Sequence, residues 1–282
     1  METISEGVIS HAEGSKTKSI GNASHAEGSE TESLGTNSHS EGYGTKAIEK
    51  CAHAEGENTT ASGISSHAEG KQTNAIGKHS HSEGYQTTAE GDFSHAEGYN
   101  TISKGTFSHS EGGGNIASGD TSHAEGNANV ASGVNSHAEG KTNTASGEQS
   151  HAEGLSTLAE GKNAHSEGLS TKAIGSVSHA EGYQTTANGS FSHTEGYGTV
   201  AKSNFSHVQG TFNIIDEENK YIHIVGNGES DSKRSNAHTL DLDGNAWFAG
   251  SIEGTALILK SPNGTKFKIT VSDSGQLNAS AL

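Results

Sequence analysis

A histidine stands at every fourteenth position from His11 to His207, and fourteen of these fifteen histidines have Glu two residues later. At the last of them, His207, the matching residue is Gln209. An imidazole beside a carboxylate can form hydrogen-bonded ion pairs, exchange protons or bind transition metals. The predicted ladder comprises His11, Glu13, His25, Glu27, His39, Glu41, His53, Glu55, His67, Glu69, His81, Glu83, His95, Glu97, His109, Glu111, His123, Glu125, His137, Glu139, His151, Glu153, His165, Glu167, His179, Glu181, His193, Glu195 and His207.

The fixed period predicts a solenoid, because self-similarity at a short constant interval is typical of stacked repeats. The consensus is S-H-A-E-G-x-x-T-x-A-x-G followed by two variable residues. Its two alternating runs, each ending in Gly, indicate two short strands per coil with tight turns between them. Gly14 and Gly21 represent the two turns, and we expect positive φ angles at both. About fifteen coils spaced about 4.8 Å apart would form a rod about 70 Å long.

Strand alternation assigns the faces of each coil. Ser10 and Ala12 are expected to point inward with Thr17, while His11 and Glu13 point outward. The outward positions of the second strand vary and are mostly polar, as expected for a solvated wall. The outward face of the first strand hardly varies, which suggests burial against other copies of itself. Small inward residues bury little area, so we expect an obligate oligomer.

Composition narrows the class of protein. Hydrophobic residues make up 28% of the 282 residues, the formal net charge is -17, and the chain contains 39 Gly, 1 Pro and 1 Cys. The charge argues against nucleic acid or an anionic membrane surface as partner. No apolar run approaches the ~20 residues of a membrane helix, and no signal peptide opens the chain, so no membrane insertion is expected. Cys51 is interpreted as filler at a position that varies between repeats.

The repeat over residues 6–210 resembles the head repeat of YadA-like trimeric adhesins. Here S-H-A-E-G replaces the family's S-V-A-I-G strand, and T-x-A-x-G matches the second strand. The resemblance implies an all-β, left-handed parallel β-roll that forms a homotrimer. It also implies that an ionisable seam replaces an aliphatic one. The predicted domains are residues 1–210, the β-roll, and residues 211–282, a β-rich capping and trimerisation region.

The C-terminal region resembles terminal modules of phage and prophage tail proteins. The resemblance rests on the stretches Gly226 to Asp231, Arg234 to Asp241, Asp243 to Gly250 and Leu257 to Val271. Asp243-Gly244 and Asn263-Gly264, between alternating runs, predict β-hairpins. This region would cap the solenoid, because a stack of repeats needs a closed end.

Three interpretations of the ladder stay open: a hydrogen-bonded structural interface, metal binding at one or two levels, and a pH switch. The structural interpretation is preferred, and we predict no catalytic, cofactor-binding or metal-binding residue. Tyrosines that follow the motif Gly would stack between coils or offer platforms for sugars. They are Tyr43, Tyr85, Tyr99, Tyr183 and Tyr197.

An enzyme is not expected, because catalytic sites are singular whereas this pair of side chains is copied along the chain. An ice-binding solenoid is disfavoured, because the repeated Thr faces inward. The prediction is a trimeric fibre of a phage tail or phage-tail-like particle, assembled in the cytoplasm and working outside the cell. Its expected partners are tail or baseplate proteins and a host receptor or glycan. The alternative is a bacterial surface adhesin head that binds host matrix or glycans; the apparent lack of an export signal and anchor weighs against it.

Overall fold

The structure, a computed structural model, describes residues 3–251 and 256–282. It confirms the predicted fold class: the chain winds into an all-β parallel solenoid of about 16 turns of ~14 residues. The described residues contain no helix that is long and apolar enough to cross a membrane. Each coil contributes one strand to each of two parallel sheets, as the two alternating runs of the repeat predict.

The first sheet, called the His sheet, contains the strands that begin at the ladder histidines, stacked in parallel with a shift of one repeat. Its solenoid strands are His11–Ser15, His25–Ser29, His39–Tyr43, His53–Glu57, His67–Ala68, His81–Ser82, His95–Ala96, His109–Ser110, His123–Ala124, His137–Lys141, His151–Leu155, His165–Leu169, His179–Ala180, His193–Thr194 and His207–Thr211.

The second sheet, called the back sheet, lies on the other side of the coil and has 15 strands. They are Ile4–Ser5, Lys18–Ser19, Glu32–Ser33, Lys46–Ala47, Thr60–Ala61, Asn74–Ala75, Thr88–Ala89, Ile102–Ser103, Ile116–Ala117, Val130–Ala131, Thr144–Ala145, Leu158–Ala159, Lys172–Ala173, Thr186–Ala187 and Val200–Ala201.

The core between the two sheets is made of small side chains, as strand alternation predicts. Ala26, Ser24 and Thr31 are almost fully buried, and the same classes recur coil after coil. Many buried hydroxyls bond to backbone; for example, Ser24 Oγ donates to the Gly21 carbonyl oxygen at 2.6 Å, whereas the hydroxyl of Thr31 has no hydrogen-bond partner. Such a core contains few methyl or methylene groups per residue, so each coil depends mainly on its hydrogen-bonded neighbours.

The two repeated glycines serve different purposes, and the expectation of a positive φ at both is wrong. Gly14 has φ 111°, as predicted. Gly21 is not among the positive-φ residues; a Cβ there would lie 1.9 Å from the Gly35 carbonyl oxygen of the next coil. The second glycine is therefore required by the close approach of successive coils. The left-handed residue of that corner is Ala23, with φ 54°.

Each coil has left-handed residues at two corners, and most of them are not glycine. Lys16 has φ 59° at one corner, and Phe93 has φ 59° at the other. Backbone bonds between coils hold them in place: Phe93 N donates to the Lys78 carbonyl oxygen at 2.8 Å. A left-handed conformation costs a residue with a Cβ roughly 1–2 kcal/mol, so the stacking of coils has to offset that strain.

Three consecutive coils replace the inward Thr with Asn, which the sequence reasoning did not single out. Asn129 Nδ2 donates to the Glu125 and Gly140 carbonyl oxygens at 2.5 and 2.9 Å, and its Oδ1 accepts from Asn143 N at 2.8 Å. Asn115 and Asn143 make equivalent bonds. The Thr of other coils makes fewer side-chain hydrogen bonds than Asn does; Thr101 Oγ1, for example, donates only to the Glu97 carbonyl oxygen, at 3.0 Å.

We predict that Asn129→Ala lowers the free energy of unfolding by about 2–4 kcal/mol, because it leaves buried backbone groups without partners. Asn129→Thr is the matched control, since Thr stands at this position in most other coils, and its cost should stay below about 1.5 kcal/mol. Urea unfolding followed by circular dichroism measures both. An Asn129→Ala variant as stable as the parent would show that the Asn bonds contribute nothing to stability.

The solenoid does not stop at residue 210. Strand Tyr221–Asn227 continues the His sheet in parallel, pairing His223 with His207, and strands Asn236–Asp241 and Ala246–Phe248 then add to it in antiparallel fashion. The His sheet therefore continues past residue 210, and the predicted domain boundary at that residue stays a prediction.

Both predicted hairpins are present. Gly244 and Gly264 have φ 83° and 91° and lie in the turns between antiparallel strands. The second hairpin belongs to a separate three-stranded sheet of Leu257–Lys260, Lys266–Val271 and Leu277–Ala281. Its last turn contains Gly275, also with positive φ, which the sequence reasoning did not identify.

Candidate functional site, the histidine and glutamate ladder

The ladder occupies the outer surface of the His sheet, as strand alternation predicts. Ladder histidines pair directly across adjacent strands, His67 opposite His81 and His81 opposite His95. From His81 to His193 the histidine side chains keep 34–37% of their surface exposed, as do the glutamates at similar values. In one chain the ladder is thus a half-exposed wall.

The imidazole rings form a continuous stack. From His25 to His207 neighbouring ring centroids lie 4.6–4.9 Å apart, with planes within 9° of parallel. The stack breaks at its ends, where His11 lies edge-on to His25 and His223 is tilted against His207. Identical rings on identical strands adopt one rotamer, because the coil spacing allows parallel stacking and leaves little room for other arrangements.

The partner of each histidine changes along the rod. In the first four coils the nearest carboxylate is on the same strand, as in the His53–Glu55 pair at 3.8 Å. From His67 onward it belongs to the preceding coil, as in the His81–Glu69 pair at 3.0 Å. Pairing within the chain is therefore present, and pairing across chains stays a prediction.

Part of the ladder is not fully hydrogen-bonded within one chain. Six ladder Nε2 atoms are shielded from solvent yet have no hydrogen bond, and their nearest ladder carboxylate oxygens lie 3.4–3.9 Å away. The six belong to His25, His39, His53, His67, His109 and His123. A buried polar atom without a partner costs free energy, so these coils would gain from a closer carboxylate.

Proton affinities along the ladder are shifted by crowding. Burial lowers the pKa of His67, His109 and His179, and the charge of neighbouring histidines lowers each pKa further. A hydrogen bond with the Glu111 carboxyl group raises the pKa of Glu97 to about 7, with burial adding to the effect. The ladder therefore disfavours a fully charged stack of histidines and keeps a proton between two glutamates.

The stack is poorly arranged for metal binding. Ligand atoms of His67, Glu69 and His81 lie within 4.8 Å of one another, and similar groups recur in other coils. However, the rings of His67 and His81 are parallel within 2°. Their nitrogen lone pairs therefore point in the same direction and do not converge on one ion at the ~2.0–2.1 Å that a zinc–nitrogen bond needs. A metal at one or two levels stays a hypothesis that requires ring rotation.

Aromatic side chains flank the ladder at both corners of the His sheet. Four of the five tyrosines predicted to stack do so, in the pairs Tyr85–Tyr99 and Tyr183–Tyr197, with centroids 5.6 and 4.8 Å apart, whereas Tyr43 stacks on no other ring of the described residues. At the opposite corner, Phe93 stacks on Phe107 at 4.9 Å and Phe191 on Phe205 at 5.2 Å. The sequence reasoning missed these phenylalanines, although their position two residues before a ladder histidine was a signal available in the repeat.

The fold and the ladder together define a class: a parallel β-solenoid of 14-residue coils with an invariant ionisable wall. Residues 54–80 match the YadA head domain repeat in two copies, which confirms the resemblance for the repeat. The two matched coils are thus similar to YadA head repeats, and the other coils share their 14-residue period, with His and Glu on the outer face of the first strand. No curated protein matches the chain.

Proposed function

We propose that the protein is a trimeric, rod-shaped attachment protein whose His sheets face one another along the three-fold axis. The observation that carries the proposal is the contrast between the two outer walls. The His sheet repeats one pair of side chains, whereas the back sheet varies and carries solvated ion pairs such as Lys18–Glu32 at 2.9 Å. Uniform chemistry on one wall is what a symmetric contact with copies of the same wall requires.

The small core supports the same proposal. Nearly every fully buried apolar residue of the repeats is Ala, and the remaining buried residues are mostly Ser and Thr. Association would bury the half-exposed ladder and the aromatic corners, adding apolar area that a single coil lacks. The ladder is then structural and not catalytic, because every coil has the same pair and no single position is distinguished from the others.

An adhesin-like head is the function that the family match favours. In this proposal the rod works outside the cell and holds a binding surface at a distance from its carrier. The receptor, a host matrix component or glycan, would contact the exposed back sheet, the aromatic corners or the C-terminal region. Neither nucleic acid nor an anionic membrane surface is a partner in this proposal, given the formal net charge of -17.

A phage tail fibre is the second candidate, and the hairpin-rich C-terminal region is the observation that favours it. The three-stranded sheet of Leu257–Lys260, Lys266–Val271 and Leu277–Ala281 is unlike the coils and coincides with the segment that resembles tail modules in sequence. Incubation with purified phage tails or baseplates separates the candidates. Stoichiometric assembly favours the fibre, whereas binding only to host matrix proteins or glycans favours the adhesin.

We predict a solution mass near three times 28.9 kDa at neutral pH. Light scattering, with metal analysis on the same sample, measures it. A monomer would overturn the proposal, since the His sheet would then be a free surface. A trimer that carries stoichiometric zinc or iron would instead make the histidines ligands.

Deleting whole coils tests the mechanical part of the proposal. Removal of residues 109–150, three full coils, should shorten the rod by about 14 Å while preserving cooperative unfolding and the trimer. Removal of residues 109–143 is the matched control, because it ends half a coil out of register and puts the back-sheet strand Thr144–Ala145 where a His-sheet strand should begin. Electron microscopy and thermal melts should show a folded, shorter rod in the first case and a disrupted one in the second.

A further inference from the structure

The ladder is bounded by two corner rows of side chains. One row, called the front row, consists of the residues two positions before each ladder histidine, and it includes Phe93 and Phe191. The other, called the rear row, consists of the residues four positions after each ladder histidine, and it includes Tyr99 and Tyr197. The rear row is continuous from coil to coil; isolated bridges join Tyr85 to Tyr99 and Tyr183 to Tyr197.

Large side chains are concentrated in two blocks of coils, and the front and rear rows share those blocks. In the first block His79, Phe93 and Phe107 stack along the front row while Tyr85 and Tyr99 stack along the rear row. In the second block Val177, Phe191 and Phe205 line the front row, opposite Tyr183 and Tyr197. The coils between the blocks have no aromatic residue at these positions; they carry Thr121, Asn135, Gln149 and Asn163 in the front row and Asn127, Lys141, Leu155 and Leu169 in the rear row.

The front-row phenylalanines raise the free energy of a single chain, because their side chains are exposed and their backbone is strained. Phe93, Phe107, Phe191 and Phe205 are 50–68% exposed, and each is in the left-handed region. Asn and Ser occupy the same position in other coils, as Asn37 and Ser65 do. A bulky side chain with positive φ, left half in water, is unfavourable on both counts. Burial against a partner would remove the exposure.

A copy of the same chain fits this surface. The His sheet spans about 70 Å along the rod and about 20 Å across six or seven residues, a face of about 1,400 Å². A stable interface needs roughly 800 Å² from each partner. In a closed three-fold ring the contact is heterologous, so the front row of one chain lies against the rear row of the next, with equivalent residues at one height.

The uniform ladder cannot by itself choose that height. Sliding one chain by a single coil, about 4.8 Å, would place His and Glu against His and Glu again. Only a non-repeating feature can distinguish the correct position from the shifted ones. The two aromatic blocks are such a feature on this face.

We propose, building on the proposed trimer, that the aromatic blocks form the seams between neighbouring chains. Phe93 and Phe191 of one chain pack against Tyr99 and Tyr197 of the next, and these contacts fix the relative height of the chains. The ladder between the seams supplies polar contacts that are the same at every level.

Cys51 provides a direct test, because it is an exposed front-row residue outside both blocks. Its rear-row counterpart in the same coil is Glu57, and those of the adjacent coils are Tyr43 and Lys71. Three variants, Glu57→Cys, Tyr43→Cys and Lys71→Cys, are oxidised mildly and run on denaturing gels without reductant. Within one chain, the strand His53–Glu57 alone spans about 13 Å and separates residue 57 from the corner residue 51, which puts the two beyond the reach of a disulfide.

We expect Glu57→Cys to give a covalent trimer and the two shifted variants to give several-fold less. Absence of cross-links in all three variants, or equal cross-linking, would overturn the seam. The mass of each protein before oxidation separates the two proposals. A monomer refutes the trimer itself, whereas a trimer with the wrong cross-links refutes only the seam.

A second measurement tests the aromatic residues directly. One variant carries Phe93→Ser, Phe107→Ser, Phe191→Ser and Phe205→Ser. The concentration below which its trimer dissociates should be at least tenfold higher than that of the parent trimer. The matched control carries Ile102→Thr, Ile116→Thr, Val130→Thr and Val200→Thr on the back sheet, where Thr88 and Thr186 occupy the same position. Equal dissociation of the two variants would overturn the proposal.

Discussion

Gly119→Ala should strongly destabilise the rod, because the added methyl group has no room between successive coils. The new Cβ would lie 2.0 Å from the Gly133 carbonyl oxygen and 2.5 Å from its carbonyl carbon, both in the backbone of the next coil. Backbone atoms in a hydrogen-bonded stack cannot move aside one at a time, so the coils must separate locally. We expect a loss above about 4 kcal/mol in the free energy of unfolding, or a rod that melts in two parts.

Gly114→Ala is the matched control in the same coil. Gly114 has φ 68°, yet nothing lies within 4 Å of the added Cβ, and Ala128 occupies the equivalent position in the next coil with φ 56°. Its cost should be about 1 kcal/mol or less, because the added strain is partly offset by a less flexible unfolded chain. Thermal melting compares the two, and similar melting temperatures would contradict the argument from close approach.

Acidification from pH 7.5 to 5 should destabilise the rod. Burial, then the neighbouring histidines, lower the pKa of His67, His109 and His179 below the ordinary value of 6.5. A histidine with a lowered folded-state pKa binds fewer protons than it does in the unfolded chain. Its contribution to stability is therefore full above pH 6.5 and is lost as pH falls below that value. Melting temperatures measured across the range should decline with pH.

The raised pKa of Glu97 stabilises the folded rod as pH falls, which opposes the effect of the histidines, so a Glu97 variant provides the control. The pKa of Glu97 is raised to about 7, mainly by the hydrogen bond with Glu111, so the folded chain holds a proton that the unfolded chain releases above pH 4.5. Glu97→Gln removes this opposing effect, and its melting temperature should fall more steeply between pH 7 and 5 than that of the parent. A parent profile that is flat over the whole range would contradict the histidine argument.

The sequence predicts the solenoid well because its information is periodic. A fixed interval and strict alternation determine the two strands, the inward Ala and Ser, and the outward His and Glu, without knowledge of distant contacts. The glycines show the limit of that reasoning. Gly14 and Gly21 look alike in the repeat, but one permits a positive φ and the other a close approach of coils. Only the stacked structure distinguishes these causes.

The candidate site was predictable in composition but not in arrangement. The repeat identifies which residues share a face, and the ladder lies there. It does not reveal that His53 pairs with its own strand while His81 pairs with the coil before. Which carboxylate a histidine pairs with depends on side-chain rotamers, and in a stack of identical residues the rotamer of each ring depends on those of its neighbours. The phenylalanine stacks were missed because they occupy a position that varies freely in other coils.

The direction of the bonds between coils has a mechanical consequence. Bonds such as that from His81 N to the Ser94 carbonyl oxygen, at 2.9 Å, join one coil to the next along the long axis of the rod. A pull on the two ends of a chain therefore loads these bonds in series, and the weakest junction fails first, whatever the length of the rod. The released coil extends from about 4.8 Å to more than 40 Å of contour, because 14 extended residues span up to about 3.4 Å each. A tethered rod would thus yield one coil at a time under tension and dissipate the force over distance before its attachment breaks.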